Sequence, residues 1–406
     1  MRVTDLTTFV VGNPPPSFGG RYFIFVKLTT ACGIVGYGEI YAAAFGPQTV
    51  CAMAQDLFAR HLEGHDPANV EAFFRRAYGS GFAMRPDPSV MGIVSGLEMA
   101  CWDIVGKALD RPVHMLLGGK VHDRVRTYTY LYPGPDEGAA DFYNDPDASA
   151  ARALEYVAQG FTALKFDPAG PYSVFDGRQP DQTSIARSVA FCRQIRAAVG
   201  TNADLLFGTH GQFSAAGARR LARALEPFDP LWFEEPMPPD APDEMARVAA
   251  GTSIPVATGE RLTTKWEFAR LLQSGAASIL QMNLGRVGGL LEGKKIAGMA
   301  EAWHVQIAPH LYCGPLVGAA NLQLAACSPN TLILESIGRW DGFFAALLET
   351  PLVWDDGDLL VPDAPGLGVV LNEEVALANP YTGTKLHLEM QPTPADPRRD
   401  GLFGGG

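Results

Sequence analysis

At 406 residues the chain can bury a large core and divide into two domains. Its composition, 47% hydrophobic and 19% charged, is that of an ordinary soluble enzyme, and a net charge of -12 argues against nucleic acid or an anionic membrane as partner. The start, Met1-Arg2-Val3-Thr4-Asp5, lacks the regions of a signal peptide, and no apolar run is read as long enough to span a membrane. Six scattered cysteines without a C-x-x-C pair read as free thiols in a reducing compartment, so the expected location is cytoplasmic.

In chain order, the runs 22–28 and 34–39 predict an antiparallel hairpin, and 49–61, 70–78 and 90–109 predict helices. Strands followed by helices make an α+β unit, assigned to residues 1–122. After Gly118-Gly119 the rhythm changes to alternating β and α. The β-type runs are 125–132, 163–167, 205–210, 231–234, 255–260, 278–283, 305–310 and 332–335. About eight such units in roughly 230 residues match a parallel (β/α) barrel, assigned to 123–355. A doubly wound open sheet is the alternative. Residues 356–390 form a turn-rich C-terminal segment, and the Pro/Gly/Arg/Asp-rich tail 391–406 is expected to be disordered.

Several barrel runs end in a chemically useful side chain. Glu234 and Glu260 end consecutive runs, and two carboxylates on a rigid scaffold suit Mg²⁺. The competing reading is a pair of salt-bridged glutamates, and His210 at the neighbouring strand end tips the balance towards metal. Alternation puts Lys165 and Asp167 on one face of their strand. Lys165 then reads either as a general base or as half of a structural ion pair with Asp167. His310 follows Pro309 at the seventh strand, across the barrel from Lys165. Glu335 ends the last strand as an orienting acid or as a partner for Arg339.

Taken together the sequence resembles the enolase superfamily, mandelate racemase subgroup, and within it the galactonate dehydratase-like acid-sugar dehydratases. The resemblance spans nearly the whole chain. It rests on Gly36-Tyr37-Gly38-Glu39, Gly96-Leu97-Glu98-Met99-Ala100-Cys101-Trp102-Asp103, Leu116-Leu117-Gly118-Gly119, Lys165, Phe233-Glu234-Glu235-Pro236, Thr258-Gly259-Glu260-Arg261, Gly288-Gly289, Pro309-His310 and Glu335. It implies an α/β fold: a modified (β/α)7β TIM-type barrel under an α+β capping domain, to which the C-terminal segment returns. It also implies Mg²⁺ and abstraction of a proton α to a carboxylate.

Carried over, Glu234 and Glu260 look like metal ligands, His310 like the general base, Lys165 like the second-strand catalytic lysine and Glu335 like the electrophilic acid. His210 looks like the acid for the leaving group. Two positions depart from the family. Gly208 stands where the first metal-binding Asp is usual, which makes His210 a candidate third ligand. Asn283 stands where an Asp usually partners the catalytic histidine, so Asn283 orients His310, and Asp167 is a second orienting group. The implied reaction is Mg²⁺-dependent β-elimination from a small-molecule sugar acid to a 2-keto-3-deoxy acid, in a homo-oligomer that binds neither nucleic acid nor membrane. A cycloisomerase or epimerase using the same enediolate is the runner-up, and a non-catalytic sugar-acid binding relative is the third reading. The loops 13–20, 41–46 and 80–85 are the expected specificity elements.

Overall fold

The computed structural model describes residues 1–134 and 137–394. Its first sheet runs β1 (Val3–Gly12), β2 (Tyr22–Thr30) and β3 (Val35–Ile40), all antiparallel, with Phe9 opposite Phe25 and Ile24 opposite Ile40. The hairpin agrees with the sequence. β1 is an addition that the pattern concealed, because a register shift between Val3 and Asp5 breaks its alternation.

Helix Pro88–Leu109 lies across this sheet. Asp87 caps it, accepting from the N–H groups of Ser89 (2.8 Å) and Val90 (2.9 Å), with Pro88 preset for the first turn. Helix and strand approach closely only because glycines face each other: a Cβ on Gly38 would lie 2.0 Å from the Gly96 carbonyl oxygen. This helix also corrects the membrane reading. It is long and apolar enough to span a bilayer, but 83% of that stretch is buried inside the protein, where it forms the middle of the capping domain.

The second sheet is the barrel. Parallel pairing joins β4 (Arg124–Tyr130), β5 (Ala163–Phe166), β6 (Asp204–Phe207), β7 (Trp232–Glu234), β8 (Val256–Thr258), β9 (Ile279–Leu280) and β10 (Gln306–Ile307) in order, and β11 (Leu334–Ser336) returns to β4. The last gap closes through a parallel bridge between Ile307 and Thr331, with Leu332 donating to the Ile307 carbonyl at 2.9 Å. One side chain from each of the eight strands or its flank fills the interior: Tyr128, Ala163, Leu206, Trp232, Ala257, Ile279, Ala308 and Ile333. Large and small alternate around much of the ring, so this end is a packed core rather than a pore.

The barrel boundary expected at residue 355 falls inside a hairpin. β12 (Trp354–Asp355) and β13 (Asp358–Leu360) turn at Asp356-Gly357, and β13 adds antiparallel to β4. Beyond it the chain returns to the capping domain, with Pro380 bridging to Val11. The tail expectation fails at its first residue: Gln391 pairs with the loop after β5, donating to the Tyr172 carbonyl (3.1 Å) and accepting from Val174 N–H (3.0 Å). Residues 395–406 lie outside the described residues.

Candidate active site

The barrel strands are shorter than their sequence runs, so most of the chemical side chains sit at or just past the strand ends. Lys165 is within β5, Glu234 ends β7, Glu260 follows β8, His310 follows β10 and Glu335 is within β11. All five are buried, with 7% exposure at most. They converge at one mouth as the sequence anticipated. The Lys165 ammonium ion-pairs with Glu234 Oε1 and lies 3.5 Å from Glu335 Oε1. Burial disfavours the lysine's charge, but Glu234 and Glu335 outweigh it and leave its pKa well above the ordinary value. Two of the bland readings fail, since Lys165 does not pair with Asp167 and Arg339 pairs with Asp341 (3.1 Å) rather than with Glu335. The salt-bridged reading of the glutamates is met at Glu234, which pairs with Lys165.

Glu234 Oε2 accepts from Trp232 Nε1 (3.0 Å) and Gln281 Nε2 (2.8 Å), while its Oε1 receives no directed hydrogen bond despite the nearby ammonium. Glu260 Oε2 is likewise buried without a hydrogen-bond donor. Burial raises the Glu260 pKa, yet the basic side chains around it, His310 first and then His210 and Lys165, carry it below the usual carboxylate range. Glu235 turns the other way, onto Arg261, with Nη2 to Oε2 at 2.8 Å. A Glu260 oxygen without a donor and a Glu234 oxygen held only by the Lys165 ammonium lie at adjacent strand ends and match a hard cation in donor type, so Glu234 and Glu260 are the residues that would hold Mg²⁺.

His210 does not join them. Among the described residues no three acidic or histidine side chains form a metal-binding group. The expectation that His210 replaces the missing Asp at 208 assumed strand alternation, but β6 ends at Phe207 and His210 sits in the left-handed region at φ 47°. That turn carries the ring onto Asp167, with Nδ1 to Oδ2 at 2.8 Å, and against Tyr172, with ring centroids 4.2 Å apart. The Tyr172 hydroxyl donates to the same Asp167 oxygen. Burial works against the imidazolium, but the Asp167 bond and the Glu260 charge raise the His210 pKa to about 9. Gly208 leaves space rather than a ligand: a Cβ there would touch Lys165 Cε at 3.4 Å.

His310 Nε2 lies 3.6 Å from Glu260 Oε2 and 3.8 Å from Glu335 Oε2. Its Nδ1 is 2.9 Å from Asn283 Nδ2. Glu335 is held by Leu311 N–H, 2.8 Å from Oε2.

Lys165, His210, Glu260, His310 and Glu335 line a cavity of about 360 Å³ whose other walls are mostly aromatic: Phe18, Tyr41, Tyr130, Tyr132, Tyr143, Tyr172 and Tyr312. Phe18 comes from the expected 13–20 loop and Tyr41 from 41–46, whereas 80–85 lines a separate cavity on the capping domain. Sequence reasoning missed Tyr172, Gln281, Trp232 and Leu388. Tyr172 follows Gly170-Pro171 just past β5, a visible hint; Leu388 reaches the cavity from the C-terminal segment, and nothing local announces it.

A barrel of this topology under an α+β cap, with acids and bases at its carboxyl mouth, defines an enolase-type enzyme. Residues 148–375 match the family described as Enolase C-terminal domain-like, and residues 15–118 match Mandelate racemase / muconate lactonizing enzyme, N-terminal domain. The chain belongs to the enolase superfamily, mandelate racemase subgroup. It is 36% identical over 384 residues to a D-galactonate dehydratase of Ralstonia nicotianae, covering 93% of this chain and 94% of that one. It also resembles the solved mandelate racemase/muconate lactonizing enzyme of Sulfitobacter sp, with a TM-score of 0.95 and 57% identity over 98% of this chain and all (100%) of that one. A like protein from Roseovarius sp. TM1035 gives a TM-score of 0.96 and 55% identity, with coverage of 98% and 100%.

Proposed function

We propose that the chain is an acid-sugar dehydratase, a lyase that removes the proton α to a carboxylate and expels a β-hydroxyl to leave a 2-keto-3-deoxy acid. The observation that carries this reading is that Lys165 and His310 line one cavity and both lie beside Glu335, at 3.5 and 3.8 Å. The kinship with D-galactonate dehydratases supports it. Lys165 rests as an ammonium and takes the α-proton at Nζ only after it has given up a proton, Glu335 orients the substrate, and His210, held by Asp167, faces the leaving hydroxyl as its proton source. Mg²⁺ held by Glu234 and Glu260 would stabilise the charge of the enediolate. Lys165 is the one lysine or arginine lining the cavity among the described residues, so a substrate with a single carboxylate fits best.

A second reading has its own observation. The aromatic walls favour a compact, ring-closed acid such as an anhydro or lactone form, in which the departing oxygen stays attached and the product is an isomer. Both readings are tested by incubating the enzyme with Mg²⁺ and a library of open and ring-closed sugar acids in deuterated water. A product lighter by one water and bearing a 2-keto group supports the dehydratase. A ring-opened product of unchanged formula supports the cycloisomerase. Failure of every acid to turn over or to exchange its α-proton would refute both.

A further inference from the structure

The Asn283 amide has only one satisfactory orientation. Its Oδ1 accepts the backbone N–H of Gly285 at 2.8 Å, so the amide cannot be turned over without setting its NH₂ against that N–H. Nδ2 therefore points the other way, where it meets acceptors: His310 Nδ1 at 2.9 Å and the His310 carbonyl oxygen at 3.5 Å. The backbone at His310 is held as well, since Asn321 Nδ2 donates to its carbonyl at 3.1 Å. A proton on Nδ1 would set one N–H against another. The ring must offer a lone pair at Nδ1 and carry its proton on Nε2. That Nε2 faces the carboxylate oxygens of Glu260 and Glu335 at 3.6 and 3.8 Å, an environment of acceptors that suits an N–H and leaves room for a substrate oxygen.

We propose that His310 serves the reaction as a neutral hydrogen-bond donor at Nε2, and that Asn283 is the positioning residue that holds it in that form. The donor would act on the developing enediolate oxygen or the departing β-oxygen. No proton leaves the ring and none is taken up, so its contribution is electrostatic, as with other neutral histidines that polarise a carbonyl. With no lone pair facing the cavity, His310 does not accept the α-proton. This departs from the base role that the resemblance implied. An Asp at 283 would accept from Gly285 with one oxygen and from His310 Nδ1–H with the other, turning the ring's lone pair towards the cavity.

The assignment of a donor role rests on the reading of the site above, but the tautomer does not. In protein carrying ¹⁵N-labelled histidine, with the His310 resonances identified by their loss in His310→Gln, long-range proton–nitrogen correlation reads which nitrogen is protonated. The expected result is a protonated Nε2 and a bare Nδ1 in the native chain, exchanged in Asn283→Asp. A protonated Nδ1 in the native chain, or a pattern unmoved by Asn283→Asp, overturns the proposal. The activity arm compares His310→Gln, which keeps a side-chain N–H donor, with His310→Leu, which does not. The Gln variant should retain at least ~10-fold more turnover; equal losses would speak for a base and against a donor. Because the tautomer measurement needs no substrate, failure of the functional reading and failure of this proposal are separate results.

Discussion

Two sets of buried carboxylates, one in the seam between the domains and one at the mouth of the barrel, are treated in opposite ways. In the seam, Glu98 of the capping domain accepts the N–H groups of Leu290 (2.7 Å) and Leu291 (2.9 Å), at the start of barrel helix Leu290–Ala302. Glu39 of β3 does the same for helix Pro315–Ala326, taking the N–H groups of Gly314 and Val317. Each carboxylate satisfies donors that a helix start leaves open, and meets the positive end of its dipole. At the mouth, Glu260 Oε2 receives no hydrogen bond, and Glu234 Oε1 faces an ammonium instead of an amide. Burial pushes both Glu39 and Glu98 up to about 7, whereas at Glu260 the basic side chains around it outweigh burial. Partial charges on helix ends hold a buried acid in place; open oxygens beside whole charges leave it able to do chemistry.

The sharpest way to break this contrast is at the mouth. Lys165→Met should lower turnover roughly 10³-fold or more, read from kcat on whatever acid is turned over, with the circular dichroism spectrum intact. Retention of turnover would remove the mouth from the chemistry. Next comes the seam: Glu98→Ala strands two buried helix-start N–H groups and should cost about 3 kcal/mol in a urea melt, while kcat at a permissive temperature stays within a few fold. A large loss of kcat there, in folded protein, would erase the distinction between the two regions.

A smaller effect is the pH dependence of the seam. For Glu39 and Glu98 the folded pKa, about 7, lies above the ordinary 4.5, so their protonated forms favour the fold. That contribution is complete below about pH 4.5 and is lost as the pH rises through about 7. Glu98→Gln should therefore flatten the fall in unfolding free energy from urea melts across this window, by ~1 kcal/mol or more. The same slope in the variant would assign it to other groups. Smallest of all, Arg339→Ala removes an exposed pair with Asp341 and should change stability by less than about 0.5 kcal/mol.

Much of this site is legible in the chain because strand-end chemistry is local. Each of Glu234, Glu260, His310 and Glu335 closes a short apolar run, and a barrel delivers such positions to one face. His210 was misplaced by the same logic: with β6 ending at Phe207, a period of two no longer governs where its side chain points. Asn283 could be paired with His310 from the family pattern, but the direction of their hydrogen bond depended on Gly285 N–H, which only coordinates reveal.

The sequence by itself determined the alternating β and α order, the cap preceding the barrel, and the identity of the strand-end acids and bases. Those follow from periodicity and from where apolar runs stop. Tertiary structure alone decided that Glu98 and Glu39 cap helices 192 and 278 residues away, that Lys165 pairs with Glu234 and Glu335 rather than Asp167, and that Leu388 walls the cavity. Hydrophobic pattern tells a segment which face to bury and says nothing about its partner. Partners are chosen when the barrel closes and the cap docks, bringing together groups that no local spacing relates.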